Sequence, residues 1–373
     1  MSIEIREVKT NGELKKFVDF QYQLYKGNDY FVPSIRMNVI KTFDKRDNPA
    51  YDFCEVRLWV AYKNNRISGR IAGIINHKFN REKNEKYIRF GWLDFIDDVE
   101  VVKSLIQTVE AWGFERGLIK IHGPLGMTNF DPAGILIEGF DETATSSSVY
   151  NYPYYATHIE SLGFVKENDW IEFKIPVPDK IPDQLHRIAK IVEEKYKIEV
   201  IRPKSSKEMM KYGKGIFRVI NEAYKGLYTV LEFNDRQIDY YIKKYLPSLP
   251  PKYVSIALID KEVVAFGISM PSISLALQKS NGRLFPFGFI RIIRALKKNS
   301  IVDLMLIAVK PELQNKGINS IMFDELIPVY INDGIKHVET NSEMETNVKV
   351  QSQWKFFEPR LSKRKRSYVK LIN

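Results

Sequence analysis

Cysteine occurs once in the 373 residues, at Cys54, which excludes an intrachain disulfide framework and makes a reducing compartment the default. No run approaches the roughly 18 consecutive apolar residues of a membrane span. The opening MSIEIREVKT has no apolar signal-peptide core, so a cytoplasmic protein without a membrane span is expected. The five histidines stand at no ligand spacing to cysteine or to a carboxylate cluster, so no metal is expected. A long tract of one charge is also missing. The net charge of +11 is spread along the chain, which reads as a solvated lysine-rich surface, and nucleic acid is not an expected partner. The densest basic run, Lys363 to Arg366, stands just before an apolar segment, Tyr368 to Ile372, and reads as a hairpin turn.

The length suggests two domains. Hydrophobic residues make up 44% and charged residues 28%, enough apolar material for two cores. The chain also repeats itself. IEIREVKTNGELKKF, from Ile3, and IEVIRPKSSKEMMKY, from Ile198, each show a short alternating strand, a Thr or Ser cap and an amphipathic helix start. LWVAYKNNRISGRIAGI, from Leu58, and YVSIALIDKEVVAFGI, from Tyr253, each read as strand, polar turn and strand. Val109 to Gly123 and Leu326 to Thr340 each read as a helix end, a Gly stop (Gly117, Gly334) and a strand. Asn151 and Asn347 each open a helix leading to a final strand. The seam is IPVPDKIPDQ, broken by Pro176, Pro178 and Pro182. The second copy has an extra segment, Pro271 to Asn299. It contains RLFPFGFIRIIRALKK, with Phe289, Ile292, Ile293 and Leu296 on one helical side. Covering the domain's own core or making a homodimer contact is the expected use, ahead of a membrane-surface or acyl-chain role.

The chemistry is carried by SIVDLMLIAVKPELQNKGINSIMFDELI, Ser300 to Ile327. An apolar strand, Ile301 to Val309, ends at Pro311. A polar turn, QNKGIN, then feeds a helix. A Gly-containing turn at a helix N-terminus presents free N–H groups and the positive dipole end to a diphosphate.

The pattern V-x-P-x-x-Q-x-x-G-x-N over Val309 to Asn319 resembles the signature of the GNAT N-acetyltransferase superfamily, whose core is Gln/Arg-x-x-Gly-x-Gly/Ala. Gln314, Lys316 and Gly317 match, and Asn319 replaces the usual small residue. The repeat extends the resemblance to the first half as a degenerate copy. The resemblance implies an α/β (α+β) chain of two tandem GNAT-like domains, each a mixed, mostly antiparallel sheet flanked by helices. Their expected bounds are 1–175, a linker and connecting helix over 176–197, and a coenzyme-binding domain over 198–373. It implies acetyl-CoA as cosubstrate. Ile307, Ala308 and Val309 would lie beside the pantetheine arm, with a nearby N–H on the oxyanion. The amides of Gln314, Asn315, Lys316, Gly317, Ile318, Asn319 and Ser320 would hold the diphosphate. Asn347 and Trp354 belong to the next helix, with Trp354 as a tunnel wall.

Two departures matter. Family members often carry a Tyr where Trp354 stands, and an indole is no usable acid. Tyr330 is a conceivable replacement. The candidate bases are Asp303 and Glu339, with Glu343 a weaker choice, and Asn341 is a candidate to position water or substrate. In the first half, Asp97, Asp98 and Glu100 stand where a diphosphate would sit, which argues against a second coenzyme site. The Gly-, Pro-, Asn- and Tyr-rich runs Gly123 to Phe140 and Val149 to Phe164 offer Asn129, Asp131, Asn151, Tyr154 and Tyr155 as an acceptor pocket. Tyr224 and Tyr228 occupy the substrate-facing loop of the second half. The expected function is acyl transfer to a small-molecule or peptide amine. The alternatives are a non-catalytic coenzyme-binding or regulatory module, and an aminoacyl-tRNA-dependent peptidyl transferase of similar tandem fold.

Overall fold

The computed structural model describes residues 3–372. It divides into two compact units: residues 1–171, 274–289 and 363–373 form the first, and residues 172–273 and 290–362 the second. The strands of the first half are β1 (Ile3–Glu7), β2 (Cys54–Lys63), β3 (Arg66–Asn76), β4 (Tyr87–Phe95), β5 (Lys120–Gly123), β6 (Ile135–Glu138) and β7 (Val165–Pro176). Those of the second are β8 (Glu199–Ile201), β9 (Val254–Ile259), β10 (Glu262–Pro271), β11 (Ile301–Val309), β12 (His337–Thr340), β13 (Glu343–Met344) and β14 (Arg360–Leu371).

In the first unit β1 to β4 pair antiparallel in sequence order, β4 pairs parallel with β5, and β5 pairs antiparallel with β14. Nearly every residue of β3 is buried on both faces, including Arg70, whose charge is met by Asp94 at 2.6 Å. The helix Val99–Glu115 covers it with the stripe Val101, Val102, Leu105, Val109 and Trp112, the spacing of one helical face. The helix Asn11–Leu24 opens on the expected cap: Thr10 accepts from Glu13 N–H at 3.2 Å, and Glu13 accepts from Thr10 N–H at 2.9 Å.

The second unit repeats the plan. β8, β9, β10 and β11 pair antiparallel, β11 pairs parallel with β12, and β12 pairs antiparallel with residues 174–176 of β7. Ser205 caps the next helix by accepting from Glu208 N–H at 3.2 Å, the counterpart of Thr10. The helices Asp183–Tyr196 and Ile318–Asn332 pack on this sheet around Val302, Leu304, Ile321, Met322 and Leu326.

One expectation is overturned, and one alternative of another. The run Lys363 to Arg366 is no turn but part of β14. Its charges meet counter-charges remote in sequence: Arg366 makes two bonds to Asp169, at 2.8 and 3.0 Å, and Arg364 one to Glu138 at 3.0 Å. The insertion does form a helix, Gly288–Lys297, but only Gly288 of it is buried, so it covers no core.

Candidate functional site

The site lies in the second unit, at the end of β11. The parallel ladder with β12 runs only from Ile301 opposite His337 to Leu304 opposite Thr340, while β11 continues to Val309. Its other edge stays paired with β10 throughout, through a register shift that leaves Met305 unmatched. The free edge is therefore a short length of strand backbone with no strand beside it. Its carbonyls are held by side chains: Asn341 Nδ2 donates to Met305 at 3.1 Å, Tyr224 hydroxyl to Ile307 at 3.3 Å, and Gln314 Nε2 to Val309 at 3.2 Å. Strand parity then turns the N–H groups of Ile307 and Val309 to the same open side.

The strand runs straight into the turn. Gly317 is left-handed, with φ of 82°, and a Cβ there would meet the methyls of Ile188 at 3.0 Å and Val192 at 3.2 Å. Only glycine combines that conformation with that clearance. No side chain caps the helix that follows, so its positive end stays open. The amides of Gln314 and Ser320 are already used, by the carbonyls of Pro311 at 3.2 Å and Gly317 at 2.9 Å. This narrows the expected cradle to residues 315–319. Lys316 is exposed beside it, with its Nζ 5.7 Å from the centre of the Tyr196 ring.

The split is flanked by a group the sequence ranked low. Glu343, half-buried on β13, accepts from Trp354 Nε1–H at 3.1 and 3.3 Å. Burial pushes its carboxyl up to about 8, against the lowering pull of that indole bond. Burial, and then the nearby Glu343 charge, raise the Tyr224 hydroxyl above its usual range. Glu343 is thus close enough for its charge to act on Tyr224, whose hydroxyl is bonded to the edge at Ile307. Trp354 itself is buried in the core against Phe323, with ring centres 5.5 Å apart, and its indole N–H is spent on Glu343. Asn347 uses its side chain to cap Val350 N–H, at 3.3 Å.

Asp303 and Glu339 lie elsewhere. They are opposite one another in the paired part of the ladder, before the split, and Glu339 also faces Lys174 across β7. Tyr330 is buried and donates to Ser269 Oγ at 2.8 Å, so it is no replacement acid. Tyr228 is half-buried in the loop after Tyr224. A cavity of about 520 Å³, which the sequence did not signal, is lined by Lys211, Lys214, Arg218, Lys261 and Lys310. Asp239 and Glu262 pair with two of these lysines, at 3.7 and 3.4 Å.

The first unit closes the corresponding place with its own side chains. At the far end of β4, Tyr154 donates to Phe95 carbonyl at 2.6 Å and Tyr155 hydroxyl accepts from Phe95 N–H at 3.2 Å. Asp98 caps the following helix itself, accepting from Glu100 N–H at 3.0 Å, and pairs with Lys63. Four of the five side chains expected at an acceptor pocket make bonds within the protein. Asn151 is buried and brackets Leu136, accepting from its N–H at 2.6 Å and donating to its carbonyl at 3.1 Å. Asp131 accepts from Thr128 N–H at 2.8 Å. Tyr155 is buried with Tyr25 and Asp94. Asn129 stays half-buried in the same loop.

No family model matches the chain. It is 27% identical over 375 residues to Protein YghO of Escherichia coli (strain K12), covering 99% of this chain and 95% of that one. It is 24% identical over 324 residues to the bacterial ceramide synthase of Caulobacter vibrioides, covering 84% and 83%. Among solved structures it resembles a tandem GNAT protein from the clavulanic acid biosynthesis pathway, with TM-score 0.58, 10% identity and coverage of 100% and 99%. A GCN5-related N-acetyltransferase from Sphaerobacter thermophilus gives TM-score 0.51, 10% identity and coverage of 100% and 96%. The chain has a tandem GNAT-like fold over its whole length, the fold of acyl-coenzyme A acyltransferases.

Proposed function

We propose that the protein transfers an acyl group from acyl-coenzyme A, acetyl in the simplest case, to an amine by direct attack. The observation that carries this reading is the early end of the β11–β12 ladder, which leaves a free strand edge running into an uncapped helix end at Gly317. The amides of residues 315–319, with Lys316, suit a diphosphate. The N–H groups of Ile307 and Val309 suit the amide arm of a pantetheine and the developing oxyanion. The coenzyme supplies a thioester, whose C–S bond breaks as the amine nitrogen bonds to the carbonyl carbon. Glu343 takes the proton that the nitrogen loses, and Tyr224 is the hydroxyl beside the departing thiolate. Coenzyme binding is assigned to the unit of residues 172–273 and 290–362, and the first unit is the degenerate copy.

A second reading concerns the substrates alone. The Caulobacter relative is named a ceramide synthase, and a ceramide is an amide, the product of the same bond-forming step.

Thiol release tests the proposal. With acetyl- and long-chain acyl-coenzyme A, release is expected only when an amine is present, the preferred acyl length separating the two readings. A burst of thiol without amine would mean an acyl-enzyme and contradict direct attack. No release with any of a panel of small, peptide and long-chain amines would contradict the activity.

A further inference from the structure

The insertion leaves a surface that the acyl-transfer reading does not use. Between Asn281 and Ser300 the chain carries four large apolar side chains in the open: Phe285 at 71% exposure, Phe287 at 65%, Phe289 at 40% and Ile293 at 47%. A solvated surface scatters such residues singly; here they fall on one short segment. Phe285 and Phe289 touch, with ring centres 5.9 Å apart. On the helix Gly288–Lys297, Phe289 and Ile293 are one turn apart, with Ile292 and Leu296 beside them, so they form a continuous apolar stripe. Arg291, Arg294 and Lys298 occupy the other side, and Arg283 and Lys297 flank it; all five are exposed. The stretch from Pro271 to Val302 contains no acidic residue.

We infer that this segment docks the protein on an anionic lipid bilayer, with the helix lying in the plane of the interface. Phe285, Phe287, Phe289 and Ile293 enter the boundary between headgroups and acyl chains. The arginines and lysines reach to the lipid phosphates along their apolar stems. The charge decides the occupant. A second copy of this chain, at +11, would bring like charge to the same surface, whereas an anionic leaflet supplies the opposite sign. The helix is about 15 Å long at 1.5 Å per residue, which suits lying on a bilayer and not crossing it. No described helix is long and apolar enough to cross a membrane. The inference rests on this surface alone and survives the loss of the acyl-transfer proposal.

Flotation of the full chain with vesicles tests it. Binding is expected to vesicles of phosphatidylcholine containing phosphatidylglycerol, and about tenfold weaker binding to phosphatidylcholine alone. Binding should fall as salt is raised, because the charge contribution is screened. The double variants Phe287→Ser with Phe289→Ser and Arg291→Glu with Arg294→Glu are each expected to weaken binding at least tenfold. Both should leave the unfolding temperature near that of the parent, since none of these side chains is buried. Failure of the parent to bind the anionic vesicles, or binding unchanged in both folded variants, would overturn the inference. So would a concentration-dependent dimer, without vesicle binding, that either variant dissociates.

Discussion

Replacing Glu343 by Gln is expected to lower kcat/KM by about 100- to 10,000-fold, the usual contribution of a positioned general base. Gln keeps an oxygen for the Trp354 N–H and so preserves the fold. The carboxyl is raised to about 8 by burial, so the parent gains activity as pH rises through that value and the base becomes charged. The variant should lose that limb and keep only the rise due to the amine itself. Trp354→Phe removes the one bond that lowers this carboxyl, so the limb should move to higher pH while the ring stays packed on Phe323. That shift marks Trp354 as a positioning residue and would not follow from a merely structural role. With the Tyr224 hydroxyl raised above its usual range, no falling limb is expected below pH 10. Stability follows with the opposite sign. The folded state keeps the Glu343 proton that the unfolded chain releases near 4.5, so stability falls as pH rises from there to about 8. Glu343→Gln abolishes that fall, which thermal unfolding at several pH values reads directly. An unchanged pH–rate profile in Glu343→Gln would remove this residue from the mechanism.

Separate expression of residues 1–175 and 198–373 is expected to give no cooperatively folded product from either piece. The closing strand of each unit comes from the other half of the chain. Tyr368 to Leu371 of β14 pair with β5 in the first unit, and Lys174 to Pro176 of β7 pair with β12 in the second. The piece 1–175 would leave β5 and β6 without β14 and would lose Tyr368, which is fully buried. The piece 198–373 would expose the edge of β12 and strip Ile175 and Leu185 from its core. Losing several buried side chains, at about 2–5 kcal/mol each, exceeds the usual 5–15 kcal/mol of net stability. Circular dichroism and calorimetry of the isolated pieces check this. A cooperative transition of either piece near the temperature of the full chain would contradict it.

That exchange also shows where the sequence stopped being informative. Alternation and turn residues revealed β2–β3 and β9–β10 as hairpins, and Thr10 and Ser205 as caps, because those signals are local. Nothing local says which sheet β14 or β7 will join. The run Lys363 to Arg366 looked like a turn because its counter-charges, Asp169 and Glu138, lie far away in the chain. The turn at Gly317 was legible because it needs one residue type at one place. Glu343 was not, and it ranked behind Asp303 and Glu339, because its basicity comes from burial beside Trp354 and Tyr224. The first-half tyrosines have a second use that the sequence does not separate from ligand binding. A hydroxyl suited to binding a ligand is equally suited to closing a strand edge, and Tyr154 and Tyr155 do the latter at Phe95.

Calorimetric titration of the full chain with acetyl-coenzyme A tests the central claim most directly. One site per chain is expected, lost in Gly317→Glu, which sets a side chain and a negative charge where the backbone must stay left-handed and the diphosphate would sit. Asp98→Asn, at the capped helix of the first unit, is expected to change neither stoichiometry nor affinity. Two equivalent sites, no binding by the parent, or full affinity in a folded Gly317→Glu variant would contradict the account.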